Sequence, residues 1–263
     1  MKSMKFEFFD VKVERGVALI VFYRPPVNAF STAVYGELID LAKGLEADEA
    51  VRAVVFAASP KSKAWIGGAD VNELAKLDYQ GRIDRYEIVN EANDRFMNLQ
   101  RPVIAAIESH AIGAGMTFAA ICDIRIAASG AYFSMPEIER GTTSGGGAVF
   151  TRLNMPAAKI REILFTGRRY TADELQNTGF FNYVLPKGEV LDKALKLAED
   201  IASKSSEALT ATKICCNAVE KMDAAEGRRF SQDYSARLTA GANAKEGMHA
   251  FLEKRAPVYS NKA

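Results

Sequence analysis

The sequence predicts a parallel α/β core continued by a C-terminal helical extension. Three observations carry that expectation. Apolar, β-branched runs alternate with segments of helical period through the first half, the pattern turns mostly helical after Gly167, and no Pro-, Gly- or Ser-rich linker, low-complexity run or repeat divides the 263 residues. Alternation of this kind is how a parallel sheet reads, because parallel neighbours need a crossover between them.

The elements follow in order. Gly16 to Tyr23 carries Val17, Leu19, Val21 and Tyr23 with apolar residues between them, the pattern of a strand covered on both faces. Thr32 to Glu46 repeats Val34, Leu38, Leu41 and Leu45 at helical spacing, and Ala53 to Ala58 is a strand closed by Ser59 and Pro60. A helix around Arg82 to Leu99, a strand Val103 to Ile107, a small-residue helix from Gly113 to about Ile121 and a strand Ile124 to Ala127 repeat the unit. Beyond Gly167 come a short strand at Phe180 to Leu185 and amphipathic helices at Leu191 to Ala202 and Ser206 to Met222. A third helical region, Gly227 to Leu252, is interrupted near Gly241 and Gly247.

Composition narrows the class. With 48% apolar and 25% charged residues the chain is an ordinary globular one. At this length about 70–75% of the extended chain's surface can be buried, enough for a deep pocket. The 34 Lys and Arg against 33 Asp and Glu leave a formal charge of +1, so no long-range field draws in nucleic acid or an anionic membrane. An anionic partner has to be held by local groups. Cys122, Cys215 and Cys216 are an odd count with two adjacent, which reads as reduced and intracellular. Met1 to Asp10 mixes Lys2, Lys5, Glu7 and Asp10 among phenylalanines and so lacks the apolar core of a secretory signal. No stretch reaches the roughly 20 apolar residues of a membrane span. His110 and His249 are the only histidines and leave no metal-ligand cluster. A cytoplasmic enzyme without a metal is expected.

Three glycine-containing segments are candidates for chemistry. In Gly67-Gly68-Ala69-Asp70-Val71-Asn72-Glu73, Asp70 can N-cap a helix and Glu73 can close a capping box, which by itself explains the segment. The functional reading is that the glycines admit another molecule to the backbone and that the Ala69 N–H, just ahead of a helix, favours developing negative charge. In Val103 to Thr117 a strand runs into a helix opening on Gly113-Ala114-Gly115, which presents the Ala114 amide or simply packs helix on sheet. It lacks the third glycine and the acidic residue of a dinucleotide site. In Met135-Pro136-Glu137 and the turn Gly141 to Gly147, Glu137 reads either as solvated surface or as a carboxylate at a pocket rim. The glycine run has neither the Lys-Ser/Thr of a phosphate loop nor a nucleophile elbow around Ser144.

Together and in this order the segments resemble the crotonase superfamily, the enoyl-CoA hydratase/isomerase family, from Val17 to about Arg255. Arg24-Pro25-Pro26-Val27-Asn28-Ala29, Gly67-Gly68-Ala69-Asp70-Val71, Gly113-Ala114-Gly115, Cys122-Asp123-Ile124, Met135-Pro136-Glu137-Ile138, Phe165-Thr166-Gly167 and Phe251-Leu252-Glu253-Lys254-Arg255 carry the likeness. The resemblance implies a spiral of repeated β-β-α units over residues 1–200 and a helical trimerisation region over 201–263, one continuous structural unit, assembled as a homotrimer or dimer of trimers. It implies an acyl-CoA thioester substrate, with coenzyme A as part of the substrate and no other cofactor. The thioester oxygen would be held by the N–H groups of Ala69 and Ala114 in an oxyanion hole, and Gly67, Gly68, Asp70, Val71, Gly113, Pro136 and Gly145 would bind the substrate. The pantetheine and nucleotide would pass Val27 and Ala29, with Arg24 and Lys63 as phosphate partners and Lys254 reaching from a neighbouring subunit.

Departures from the family pattern limit what carries over. Two-glutamate hydratases have a glutamate where this chain has Thr117, so Glu137 is left as the acid/base, and a hydroxyl cannot do that work at neutral pH. The single glutamate resembles Δ3,Δ2-enoyl-CoA isomerases; a hydroxyl followed by the glutamate resembles hydroxycinnamoyl-CoA hydratase-lyases. Ser144 replaces a proline, which leaves the water-positioning role of Gly145 open, and Asn72 replaces a lysine. Trp65, Tyr79, Tyr86, Phe133 and Phe150 are candidates for an acyl pocket, though core packing is the commoner use of such residues. A thioester hydrolase would need a pair such as Ser109 or Ser144 with His110, and RNA binding would need a basic stripe; neither is the expected function.

Overall fold

The computed structural model describes residues 5–149 and 154–260. The chain opens on a hairpin of β1 (Phe9–Glu14) and β2 (Val17–Phe22), joined through Arg15 and Gly16, both at positive φ as a two-residue hairpin turn requires. β1 alternates buried and exposed residues along the sheet edge. From β2 the sheet continues in parallel through β3 (Ala53–Ala58), β5 (Val103–Ile107), β7 (Ile124–Ala128) and β10 (Tyr183–Leu185), in the order β1-β2-β3-β5-β7-β10. A second sheet stacks β4 (Ala64–Ile66), β6 (His110–Ile112) and β8 (Tyr132–Ser134) in parallel, with β9 (Tyr170–Thr171) antiparallel at its edge.

The two sheets grow together. Each turn of the chain gives one long strand to the first sheet and one short strand to the second, then leaves through a helix. α2 (Val71–Leu74) and α3 (Tyr79–Met97) follow β4, α4 (Ala114–Ile121) follows β6, and a single 3-10 turn, Pro136–Arg140, follows β8. This is the spiral of β-β-α units that the resemblance implies. Its consequence is positional: the residues leaving β4, β6 and β8 become neighbours although more than 20 residues separate them in sequence.

β3 and β5 are buried along both faces, and Phe22, Phe30, Phe56, Phe96 and Phe118 form one ring cluster that meets Trp65 through Phe56 and Phe118. The Phe56 and Phe118 rings lie 4.8 Å apart, so α4 rests on the sheet through an aromatic contact. α1 (Thr32–Ala47), capped by Ser31, covers α3 and the same core. α5 (Ala157–Thr166) and α6 (Ala172–Leu175) lead to α7 (Val190–Ala202), whose first two amides donate to the Glu108 carboxylate at 3.1 and 3.3 Å, as does Gly188 just ahead of it at 2.9 Å. α8 (Ser206–Val219) is tied down by Lys213, which pairs with Asp123 at 2.7 Å and is almost fully buried.

Two expectations change. The strand placed at Phe180 to Leu185 begins only at Tyr183, because Phe180 and Phe181 leave the sheet to pack on Phe133, with ring centroids of Phe133 and Phe181 4.7 Å apart. The third helical region is two helices, α9 (Ala224–Thr239), started earlier by the Asp223 cap, and α10 (Ala242–Leu252); the break falls at Gly241, while Gly247 stays inside α10. Among the described residues no helix is long and apolar enough to cross a membrane, and no group of three potential ligands could hold a metal ion.

Candidate active site

The site is assembled at the ends of the three stacked short strands. Gly67 and Gly68 lead from β4 into α2, and Gly113 leads from β6 into α4. The two turns touch: a Cβ on Gly115 would stand 2.3 Å from the carbonyl oxygen of Ile66, an approach only glycine permits. Ala69, just ahead of the Asp70 cap of α2, and Ala114, the first residue of α4, both line a cleft of about 500 Å3. Gly113 has φ +52° and ψ −113° and offers no side-chain cap to α4. Among the described residues neither the Ala69 nor the Ala114 N–H has a hydrogen-bond acceptor, the second being one of the orphan amides of a helix start.

Glu137 arrives from β8. The Gly113 N–H donates to the Ser134 carbonyl at 2.8 Å, so the 3-10 turn that follows is laid over Gly113. A Cβ on Gly113 would stand 2.4 Å from Glu137 Oε1, which measures how closely the carboxylate covers that glycine. Its other oxygen, Oε2, is buried with no partner. Burial pushes the Glu137 carboxyl above the usual range, against the pull of its own backbone amide and of the Arg140 charge. Among the described residues that line the cleft it is the one carboxylate.

Thr117 sits one turn into α4, buried, with its hydroxyl donating to the Gly113 carbonyl over 3.4 Å. The turn after Glu137 closes the cleft through Thr143, Ser144 and Gly145. Ser144 has a definite use there: its Oγ accepts the Gly147 N–H at 3.1 Å and holds a bend in place of the proline. Gly145 abuts Tyr86, whose ring a Cβ would meet at 2.8 Å.

Of the residues expected from the sequence, Glu137, Thr117, Ala69, Ala114, Gly67, Gly68, Val71, Gly113, Pro136 and Gly145 line this one cleft. Arg24, Val27, Ala29, Lys63, Asp70 and Lys254 lie outside its lining. Arg24 is engaged by the protein, pairing with Asp70 at 2.7 Å and donating to the Ala29 carbonyl at 3.0 Å, while Lys63 and Lys254 are exposed. Of the aromatic candidates Tyr86 lines the cleft, Trp65 and Phe133 are core, Tyr79 is exposed, and Phe150 lies outside the described residues.

The capping box expected at Asp70 is half formed. Asp70 accepts from the amides of Asn72 and Glu73, but its own N–H is taken by the Phe30 carbonyl at 2.9 Å, so Glu73 has nothing to reach back to. Glu73 turns instead to the start of α1, accepting from Thr32, and to Arg85 at 3.2 Å. Sequence reasoning also left two features unassigned. Asn28, fully buried at positive φ, donates to the carbonyls of Ala64 and Trp65 and fastens the entry loop to β4. Arg82, Arg85, Tyr86, Val89, Asn90 and Asn93 form one stripe of α3 along the cleft. Their spacing of three and four was the available signal.

The family model described as enoyl-CoA hydratase/isomerase matches residues 12–262. The chain is 35% identical over 255 residues to a probable enoyl-CoA hydratase of Rhizobium meliloti, covering 96% of this chain and 97% of that one. It is 34% identical over 242 residues to the mitochondrial enoyl-CoA hydratase of Pongo abelii, covering 91% and 82%. The crystal structure of an enoyl-CoA hydratase from Bacillus anthracis superposes with a TM-score of 0.93 at 27% identity, over 97% of this chain and all of that one.

Proposed function

The chain belongs to the enoyl-CoA hydratase/isomerase family, and on that premise we propose that it moves a proton on an acyl-CoA thioester through an enolate, with the amides of Ala69 and Ala114 holding the thioester oxygen and Glu137 as the acid/base. In the direction from a 3-enoyl-CoA, the Glu137 carboxylate removes a proton from the carbon next to the carbonyl. The electron pair spreads onto the thioester oxygen and the double bond. The protonated Glu137 then returns a proton to the far carbon, which leaves a 2-enoyl-CoA and a free carboxylate. Each oxyanion donor is worth about 2.7–4 kcal/mol, and because both are backbone groups alanine suffices at each position.

The observation that carries this reading is the lone carboxylate of the cleft, covered on one side by Gly113 and with a buried, unpartnered oxygen. Hydration with two carboxylates has no second carboxylate to use there among the described residues. A second reading, one-carboxylate water addition, is favoured by the Thr117 hydroxyl in the same cleft, which can orient a water but not ionise. Coenzyme A would run outward past the loop at Val27 and Ala29, with Lys63 at its phosphates. Homotrimeric or hexameric assembly is supported by the exposed Met248, Phe251, Leu252 and Val258 at the C-terminal end.

One experiment tests the proposal. Incubated separately with 2-enoyl-CoA and 3-enoyl-CoA in deuterated water, the enzyme is expected to interconvert the two and to place deuterium on carbon. Mass gained as water, with no double-bond migration, would replace proton shuttling with hydration; no change in either ester would overturn both.

A further inference from the structure

The cleft wall opposite the oxyanion amides is unusual for a site that takes a hydrocarbon tail. Its α3 stripe is polar at five of six positions, Val89 being the exception. Two observations on it point to a ligand. Asn93 lines the cleft and is only 5% exposed, yet its amide hydrogen-bonds to no described residue. An alkyl chain laid against it would leave that amide unpaired, a cost that protein sites use to reject apolar analogues.

The second observation is charge. Among the described residues Arg82, Arg85 and Arg140 line the cleft against the one carboxylate of Glu137. Arg85 is neutralised by Glu73 and fixed by the Phe30 carbonyl. Arg82, half-buried at the α2 end of the stripe, spends one N–H on the Leu74 carbonyl at 3.2 Å and has no carboxylate partner among the described residues. A guanidinium has five donors in a planar fork that matches a carboxylate, and four of those on Arg82 remain available.

We propose, resting on the acyl-CoA reading above, that the substrate's acyl chain ends in a carboxylate, that Arg82 receives it, and that Asn93 disfavours a plain alkyl chain. The two residues act at separate points, since eleven residues of helix put them about 16 Å apart along α3. Arg82 determines specificity and takes no part in proton transfer.

The test uses the full-length enzyme and enoyl-CoAs of increasing chain length, each prepared with a methyl end and with a carboxylate end. Coenzyme A is common to every pair, so any contribution of the arginines to its phosphates cancels in the ratio. The expected result is a kcat/KM ratio favouring the carboxylate-ended member at one chain length by about 10- to 100-fold, the range of a charge-assisted hydrogen bond. That ratio should collapse toward one in Arg82→Met, be partly retained in Arg82→Lys, and shrink as salt is raised. Asn93→Leu should increase kcat/KM for the methyl-ended esters, a gain that a merely structural asparagine would not produce. A wild-type ratio at or below one at every length overturns the inference while leaving the acyl-CoA reading intact. A hydroxyl-ended ester used as well as the carboxylate-ended one also overturns it. Absence of binding to any of the esters overturns both.

Discussion

The two walls of the cleft are built on opposite principles. At the reacting wall the working groups are amides of Ala69 and Ala114, and the side chains around them have been reduced to glycine so that two strand exits can touch. At the facing wall the backbone is an ordinary helix and everything depends on side chains: Arg82, Arg85, Tyr86, Asn90 and Asn93. Glu137 is where the two meet, a side chain held over a glycine. The contrast teaches how the labour is divided. Backbone donors, set by the spiral itself, supply the part of the chemistry common to any thioester, and a helix surface, part of it anchored by the Arg85–Glu73 pair, supplies what distinguishes one acyl group from another.

The largest break in that comparison is at the meeting point. Glu137→Gln should lower turnover by about 10²–10⁴, the usual worth of an acid/base, while binding of the CoA ester by titration calorimetry changes little. Activity in the parent enzyme should fall with acidification through a pKa above the ordinary glutamate range, because burial raises that group and the base form is the active one in the forward direction. Stability moves the other way. A carboxyl whose folded pKa is raised contributes stability that is complete below its unfolded value and is lost as pH rises through the folded one. Glu137→Gln should therefore melt no lower than the parent at pH 7, with the difference between them disappearing below about pH 4. A drop in melting temperature at neutral pH would mean that the carboxylate has a structural partner.

The facing wall should break through its charge. Glu73 holds the Arg85 guanidinium, only 6% exposed, and the start of α1 together. Glu73→Gln leaves that cation uncompensated and should cost about 2–3 kcal/mol in denaturant unfolding. Loss of activity without loss of stability would instead place Arg85 with the substrate.

How much of this was legible beforehand differs between the walls in the same way. The long strands β2, β3 and β5 and the helices α1 and α4 were readable from period and run length, since each buries a face or is buried throughout. The short strands β4, β6 and β8 were not, because three residues carry no period. Yet these strands bring Ala69, Ala114 and Glu137 together. The sequence alone marks such backbone sites only through their glycines, each of which has a plain packing explanation, so the order of the motifs along the chain had to stand in for the geometry. Glu73 shows the limit of local rules: three residues after Asp70 it fits a capping box, but the bridge between Phe30 and Ala69 takes the N–H it would have used. The α3 stripe was visible as helical spacing, and only the position of α3 along the cleft turned a polar helix face into a wall of the site.

The smallest effect separates glycine used for contact from glycine that merely occupies a helix. Gly115→Ala drives a methyl to 2.3 Å from the Ile66 carbonyl, an atom of the neighbouring strand exit that has no rotamer by which to escape. Overpacking of this sort costs about 1–3 kcal/mol, and because the strain is relieved by parting β4 from α4 it should reduce turnover as well. Gly36, inside α1, has nothing within 4 Å of where its Cβ would stand. Gly36→Ala should gain about 0.5–1 kcal/mol from helix propensity and leave turnover unchanged. Chemical denaturation of the two variants beside the parent gives both signs in one series. Stability lost in neither would mean that the strand exits yield to a methyl group, and the amides of Ala69 and Ala114 would then owe their proximity to something other than the closeness that glycine allows.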